Sequence, residues 1–292
     1  ALALTDQNNL AGAIRFAQSC ESYGIKPILG INLSFIQKTS KITLLARGGS
    51  LSSLYRLVTA INTNTSDGVL TIDLLERFNQ YSSNLIALLG PQSGLNKNLS
   101  DRKEAAALSN YQLTKEHFSK VIIECVSHLE RVGNLRSTTA AGRSLAFAIK
   151  NQIPAVITNQ VRMLEKSDGP VVDVLDANRK LSFITSAIIE RSNGEAYLKD
   201  SQDMAHLADQ VARAAGEVSC RSLLKTTADI AAECELSTQG EIGLGGIHLP
   251  EPALFGATTQ DQLVTQLRDK TVSKINYYYQ SSQYQKVSDR LE

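Results

Sequence analysis

Short apolar runs ending in polar residues recur along the chain, at positions 1–5, 26–35, 41–46, 84–89, 121–126 and 155–158. Amphipathic stretches lie between most of them, which is the pattern of βα units around a parallel sheet. The spacing predicts a helix over 9–23, with Leu10, Ala13, Ile14, Ala17 and Cys20 on one face and Gly24 and Pro27 stopping it. A second helix, over 138–151, carries Ala141, Leu145, Ala148 and Ile149. Beyond Met163 the strand signal fades, and alanine-rich segments at 201–216 and 219–235 read as helices. Glycine and proline then crowd together, and a last helical pattern over 259–279 aligns Leu263, Leu267 and Ile275. The class is α/β; periodicity does not choose between an open doubly wound sheet and a barrel. In both, chemistry belongs at the carboxyl ends of the strands.

Composition narrows the function classes. With 42% hydrophobic and 20% charged residues among 292, the chain can bury a sizeable core. Thirty basic and 29 acidic side chains nearly cancel, so the electrostatic footprint of an autonomous nucleic-acid binder is missing. Cys20, Cys125, Cys220 and Cys234 show no Cys-x-x-Cys spacing, which favours reduced thiols over a zinc ribbon or disulfide framework. No apolar run approaches the roughly 20 residues of a membrane span, and no signal segment opens the chain. A cytoplasmic protein without a membrane partner is expected. The chain opens directly on an apolar run without methionine and stops at Glu292 inside a polar helical pattern, so both ends read as cut.

Four strand ends carry polar or turn-forming clusters that would share one mouth: Thr5 to Gln7, Gly30 to Asn32, Gly90 with Pro91, and Thr158 to Arg162. His128 ends another strand and reads as a hydrogen-bonded structural histidine more readily than as a ligand. Asp6 reads as a cap for the helix beginning near Asn9. Gly243 to Gly246 lacks the Lys-Ser/Thr of a phosphate loop and reads as linker. Tyr277, Tyr278 and Tyr279 suit a helix end packed on a neighbouring body better than a base-stacking platform.

An ordered series of segments resembles the PHP (polymerase and histidinol phosphatase) domain of bacterial C-family DNA polymerases. LTDQNNLAGAIRF from Leu4 is similar to that family's strand-turn-helix with a Thr-Asp-His core, and GIKPILG from Gly24 to its next strand. The likeness continues through ITLLAR from Ile42, LYRLV from Leu54, LIALLG from Leu85, IECVSH from Ile123 and PAVITN from Pro154. It persists more faintly in AYLKDSQDM from Ala196, IAAEC from Ile230, and Leu249 with Pro250.

The resemblance implies a PHP-type distorted (β/α)7 barrel lacking its first strand, because the family's His-x-His strand would precede Ala1. It implies a PHP-like domain over 1–237, helical from about 165, a linker over 238–258, and the start of a polymerase core over 259–292. Active members look like tri-metal hydrolases, whose imidazoles and carboxylates suit zinc, manganese or iron. Here Gln7 replaces the histidine of the Thr-Asp-His core, Asn32 a glutamate, Pro91 a cysteine, and Gln160 and Arg162 a closing Asp-x-His; Asp6 and His128 alone match. A metal-free site follows, with Arg162 expected to pair with Asp6 across the mouth.

On this resemblance the chain is a scaffold within a DNA-directed DNA polymerase, of replicative or, preferred on its short spacing, error-prone type. Its Mg²⁺, DNA and dNTP would be handled by a downstream core, and a proofreading exonuclease and sliding clamp are its expected partners. The fragment itself would need no cofactor and catalyse nothing. The rival readings are a free-standing PHP phosphoesterase and a non-catalytic interaction module.

Overall fold

A computed structural model describes residues 1–186, 191–244 and 251–290. Gly245, Gly246, Leu249 and Pro250 of the expected linker, and Glu292, lie outside the described residues. Contacts divide the chain into two units, Ala1–Leu244 and Gly245–Glu292.

Among the described residues of the first unit, seven strands form one sheet: β1 (Leu2–Gln7), β2 (Pro27–Phe35), β3 (Gln37–Ala46), β4 (Val69–Leu70), β5 (Leu85–Leu89), β6 (Lys120–Cys125) and β7 (Ala155–Ile157). The order is β1-β2-β3-β5-β6-β7, with β4 added to the end of β2. The sheet is mixed rather than parallel throughout: β3 runs antiparallel to both β2 and β5. Its direction follows from chain length, since a parallel return needs a crossover of about a dozen residues, whereas Ile36 alone, at a φ of 61°, separates β2 from β3.

The described residues form twelve α-helices. The first seven are α1 (Ala13–Ser22), α2 (Leu51–Asn64), α3 (Ile72–Arg77), α4 (Asn79–Ser82), α5 (Gly94–Ser100), α6 (Glu104–Lys115) and α7 (Thr138–Lys150). Then come α8 (Gly169–Arg179), α9 (Ser201–Ala214), α10 (Arg221–Glu233), α11 (Gln260–Tyr278) and α12 (Tyr284–Ser288). The first helix starts later than its periodicity suggests. Asn9 forms a side-chain turn instead, accepting from the Ala11 amide at 3.0 Å and donating to the Gln7 carbonyl at 3.0 Å. Gly12 therefore occupies the cap position with no side-chain cap, and Asp6 does not cap this helix. Ile14, expected on the apolar face, is exposed.

Alternation along the strands sends side chains to two different environments. On one face Leu29, Ile31 and Leu33 of β2, Leu44 of β3 and Ile123 of β6 join the main core, against Leu54 and Leu57 of α2, Leu145 of α7 and Val211 of α9. On the other face Ile28, Leu45, Ile86, Leu88, Ile122 and Val156 form a smaller cluster, closed by Ile230 and Cys234 from α10 and the residue after it. The sheet thus curls as a half-barrel with α10 seated in its concavity. Thr227 of α10 accepts the Ile157 amide of the edge strand β7 through its Oγ1 at 2.9 Å. Below, Glu233 takes Arg47 Nε at 3.1 Å and Lys120 Nζ at 2.6 Å, and Glu235 takes Lys26.

The second unit holds α11 and α12. Thr259 caps α11, its Oγ1 accepting from the Gln262 amide at 3.3 Å. Ile275 is buried, whereas Leu267, Tyr277, Tyr278 and Tyr279 are exposed.

Candidate functional site

Above the apolar floor, the same concave face turns polar. Inward positions change from Ile28 to Asn32 along β2, from Leu45 to Thr43 and Lys41 along the antiparallel β3, and from Ile122 to Glu124 along β6. After β7 the wall continues through Thr158 and Gln160. These residues, with the loop 128–136 and one side of α8, enclose a cavity of about 1730 Å³.

One of its buried ionisable groups is Glu124, 5% exposed, which sequence reasoning passed over although it stands in the motif from Ile123 to His128. The signal was one acid within the otherwise apolar core of KVIIEC. Thr158 Oγ1 donates to Glu124 Oε1 at 2.6 Å and Gln160 Nε2 to Oε2 at 3.0 Å. Gln160 Oε1 in turn accepts from Arg136 Nε at 3.3 Å. Gln160 holds this place in the left-handed region, at a φ of 40°. A Cβ on Gly90 would lie 2.3 Å from Glu124 Oε2, so the strand can pass the carboxylate this closely only with glycine there.

Burial pushes the Glu124 carboxyl above the usual range, against the opposing pull of the Thr158 and Gln160 hydrogen bonds and the Arg136 charge. With the folded-state pKa raised, the native protein holds a proton that the unfolded chain has already released. Stability is fully present below the ordinary carboxylate pKa and falls as pH rises toward the Glu124 value, by up to about 1.4 kcal/mol per pH unit. Glu124→Gln is expected to remove this fall, read from denaturant unfolding across about pH 5 to 8. An unchanged slope in the variant would count against the assignment.

His128 is 6% exposed, and its ring Nε2 donates to the Asn159 carbonyl at 2.8 Å. Its own carbonyl accepts from Asn193 Nδ2 at 2.6 Å. Burial lowers its pKa to about 4, aided by Arg136 and Lys199, while the Asn159 bond and Glu195 oppose the shift. Asn159 Nδ2 donates to the carbonyls of Glu195 and Tyr197, leaving its buried Oδ1 without a partner.

The expected pairing of Arg162 with Asp6 does not form. Arg162 instead makes a bidentate pair with Asp176 of α8, both hydrogen bonds at 2.8 Å, and Arg179 adds a third to the same carboxylate at 3.2 Å. The Arg162 guanidinium accordingly holds the Asp176 carboxyl below its usual range. Arg162 and Asp6 both line the cavity, but alternation along β1 gives the Asp6 side chain the side of Leu4: Asp6 and Leu4 would each meet a Cβ built on Gly12, at 3.2 and 3.3 Å. Gln7 pairs in register with Asn32, and Asn32 Nδ2 donates to Thr43 Oγ1 at 2.9 Å. Pro91 is buried, and Gly90 and Gln92 rather than Pro91 line the cavity there. Among the described residues, no three His, Cys, Asp or Glu side chains gather as a metal-holding group.

Comparison with known proteins follows the same outline. Residues 1–128 match the family model of the PHP domain. The DNA polymerase III subunit alpha of Pseudomonas aeruginosa is 26% identical over 285 residues, covering 90% of this chain and 22% of that protein. The error-prone DNA polymerase of Symbiobacterium thermophilum is 28% identical over 227 residues, 70% of this chain and 20% of its own length. Escherichia coli DNA polymerase III subunit alpha is 22% identical over 291 residues, 96% of this chain and 23% of the relative. The chain thus spans about a fifth of the length of these relatives. Its first 128 residues match a PHP domain, and across most of its length it is similar to DNA polymerase III alpha subunits and an error-prone DNA polymerase.

Proposed function

We propose that this chain is a PHP-like scaffold region of a bacterial DNA-directed DNA polymerase, and that its PHP site holds no metal. The observation that carries this reading is how the polar cup satisfies itself. The Gln160 amide is spent between Glu124 and Arg136, Arg162 on Asp176, Asn32 on Thr43, and His128 Nε2 on a backbone carbonyl. Neutral amides and a guanidinium are poor company for a divalent cation, and the remaining acids do not converge on one point. The fold on this reading is a distorted (β/α)7 barrel lacking its first strand, with the residues past 259 opening the polymerase core. Nucleotidyl transfer with Mg²⁺, DNA and dNTP then belongs to that core, in the cytoplasm, with a proofreading exonuclease and a sliding clamp as partners. No helix among the described residues is long and apolar enough to cross a membrane.

Incubation of the purified protein with Mn²⁺ or Zn²⁺, followed by desalting and elemental analysis, is expected to leave substoichiometric metal and no phosphoesterase turnover. Stoichiometric metal with turnover would establish the rival reading, a free-standing PHP phosphoesterase. The polymerase assignment is tested separately by the surrounding reading frame, expected to continue into a closely spaced aspartate cluster suited to Mg²⁺.

A further inference from the structure

The sequence contains one Asn-Gly pair, Asn193 with Gly194, and the fold has a use for each residue. Gly194 sits at a φ of 77°, and a Cβ built on it would lie 2.5 Å from the Lys166 carbonyl oxygen, so a larger residue here would have to displace that backbone. Asn193 is a bridge. Its Nδ2 donates to the His128 carbonyl at 2.6 Å, and its Oδ1 accepts from the Glu195 amide at 3.1 Å. The first bond ties the segment 191–199 to the chain just after β6, and the second shapes the turn within that segment.

Asn-Gly is also a dipeptide prone to deamidation, because glycine puts no side chain in the way of ring closure. The Gly194 nitrogen would lose its proton to hydroxide and bond to the Asn193 side-chain carbon, whose nitrogen takes a proton and leaves as ammonia. Water then opens the cyclic imide at either carbonyl, giving aspartate or isoaspartate. Asn193 is exposed, so hydroxide and water reach it. The native hydrogen bonds oppose the first step: Gly194 N–H donates to Ser192 Oγ at 3.1 Å, and both terminal atoms of the Asn193 amide are engaged. Ser192 is itself fixed by its amide on Asp173 Oδ1 at 2.8 Å. Further along, Arg162 N–H donates to the Ala196 carbonyl at 2.8 Å and Leu198 N–H to the Met163 carbonyl at 3.0 Å. Ring closure therefore waits for the segment to open locally.

We propose that Asn193 with Gly194 is a deamidation site that the folded segment 191–199 keeps closed, and that conversion releases this segment from His128 for good. A carboxylate accepts hydrogen bonds but does not donate them. The bond to the His128 carbonyl thus becomes a repulsion between two oxygens. Isoaspartate also adds a methylene to the backbone, beside the Lys166 carbonyl, where not even a Cβ has room. Neither step depends on what the cavity holds.

Incubation of the full chain in mildly alkaline buffer, folded or in urea above its unfolding midpoint, tests the closed site, with Asn193 followed by mass mapping of the digested protein. Deamidation is expected to be at least about tenfold slower in the folded protein. Ser192→Ala removes the acceptor of the Gly194 amide and is expected to speed the reaction roughly fivefold in the folded state but not in urea. Equal rates in the folded and unfolded parent would overturn the closed site, and so would a Ser192→Ala variant that reacts no faster than the parent when folded. The release is read separately in Asn193→Asp, by hydrogen exchange at the Arg162 and Leu198 amides. Both are expected to exchange at least about fivefold faster than in the parent, while the β6 amides stay protected, which separates local release from lost folding. Exchange as slow as in the parent, or equally quickened throughout the sheet, would overturn the release.

Discussion

Ile230→Asp is expected to cost more than about 4 kcal/mol and to leave the first unit largely unfolded at ambient temperature. Ile230 is 6% exposed and closes the cluster of Ile28, Leu45, Ile86, Leu88, Ile122 and Val156 inside the half-barrel. Removing the side chain forfeits roughly 2–5 kcal/mol of burial and packing. The aspartate must then either ionise in an apolar setting or take up a proton, and both add to the loss. The flanking ion pairs on Glu233 cannot compensate, since they lie at the partly exposed lower rim, where such pairs contribute up to about 1 kcal/mol each. Urea unfolding followed by circular dichroism measures the effect. Ile230→Leu serves as the volume-conserving control, with a loss below about 1.5 kcal/mol. Equal stability of the aspartate variant and the parent would mean that α10 does not seat in the concavity.

The second large effect is a loss of stability in mild acid. His128 has a folded-state pKa near 4 against an ordinary value of 6.5, so the unfolded chain takes up a proton that the native ring refuses. The contribution is complete above the unfolded value and disappears as pH falls from 6.5 toward about 4. Over that window it amounts to roughly 3 kcal/mol. Glu124 acts in the opposite sense over the part of this range above the ordinary carboxylate value of 4.5, so the parent protein shows only the difference. The Glu124→Gln background is therefore the place to measure the histidine. In it, His128→Gln, whose amide can still donate toward the Asn159 carbonyl, is expected to flatten the acid loss. If the double variant loses stability in acid as steeply as Glu124→Gln alone, the ring is not the titrating group.

The strands were legible because their apolar runs are contiguous. Residues 26–35 and 84–89 nearly coincide with β2 and β5. What an apolar run does not encode is direction: the sequence runs at 26–35 and 41–46 left 36–40 open as a connection, whereas β3 begins at Gln37 and only Ile36 separates it from β2. β4 escaped because two residues, Val69 and Leu70, carry no period at all. For α10 the pattern marked an apolar face without saying what would cover it. The helix packs against the inside of the curl, where a regular βα unit would have sent it outside. Gln7, Asn32, Gln160 and Arg162 were singled out from motif position and all four line the cavity, but their bonding partners were not legible. The pairing of Arg162 depends on α8, whose Asp176 enters no motif. The side taken by Asp6, by contrast, could have been read from its alternation with Leu4. Glu124 was hidden by its neighbours: four apolar residues around one acid look like a strand before they look like a site.

The seating of α10 has a consequence for the order in which the molecule assembles. The contact between Thr227 and Ile157 closes a loop of 70 residues, and that between Lys26 and Glu235 one of 209. Helices such as α2 and α7 meet strands nearby in sequence and can dock early, whereas the concave side of the sheet waits for residues near 230. During synthesis on a ribosome, Ile28, Leu45 and Ile86 therefore remain wettable long after their own strands have emerged. That interval is when a nascent chain most needs a chaperone, and it ends with the arrival of one helix.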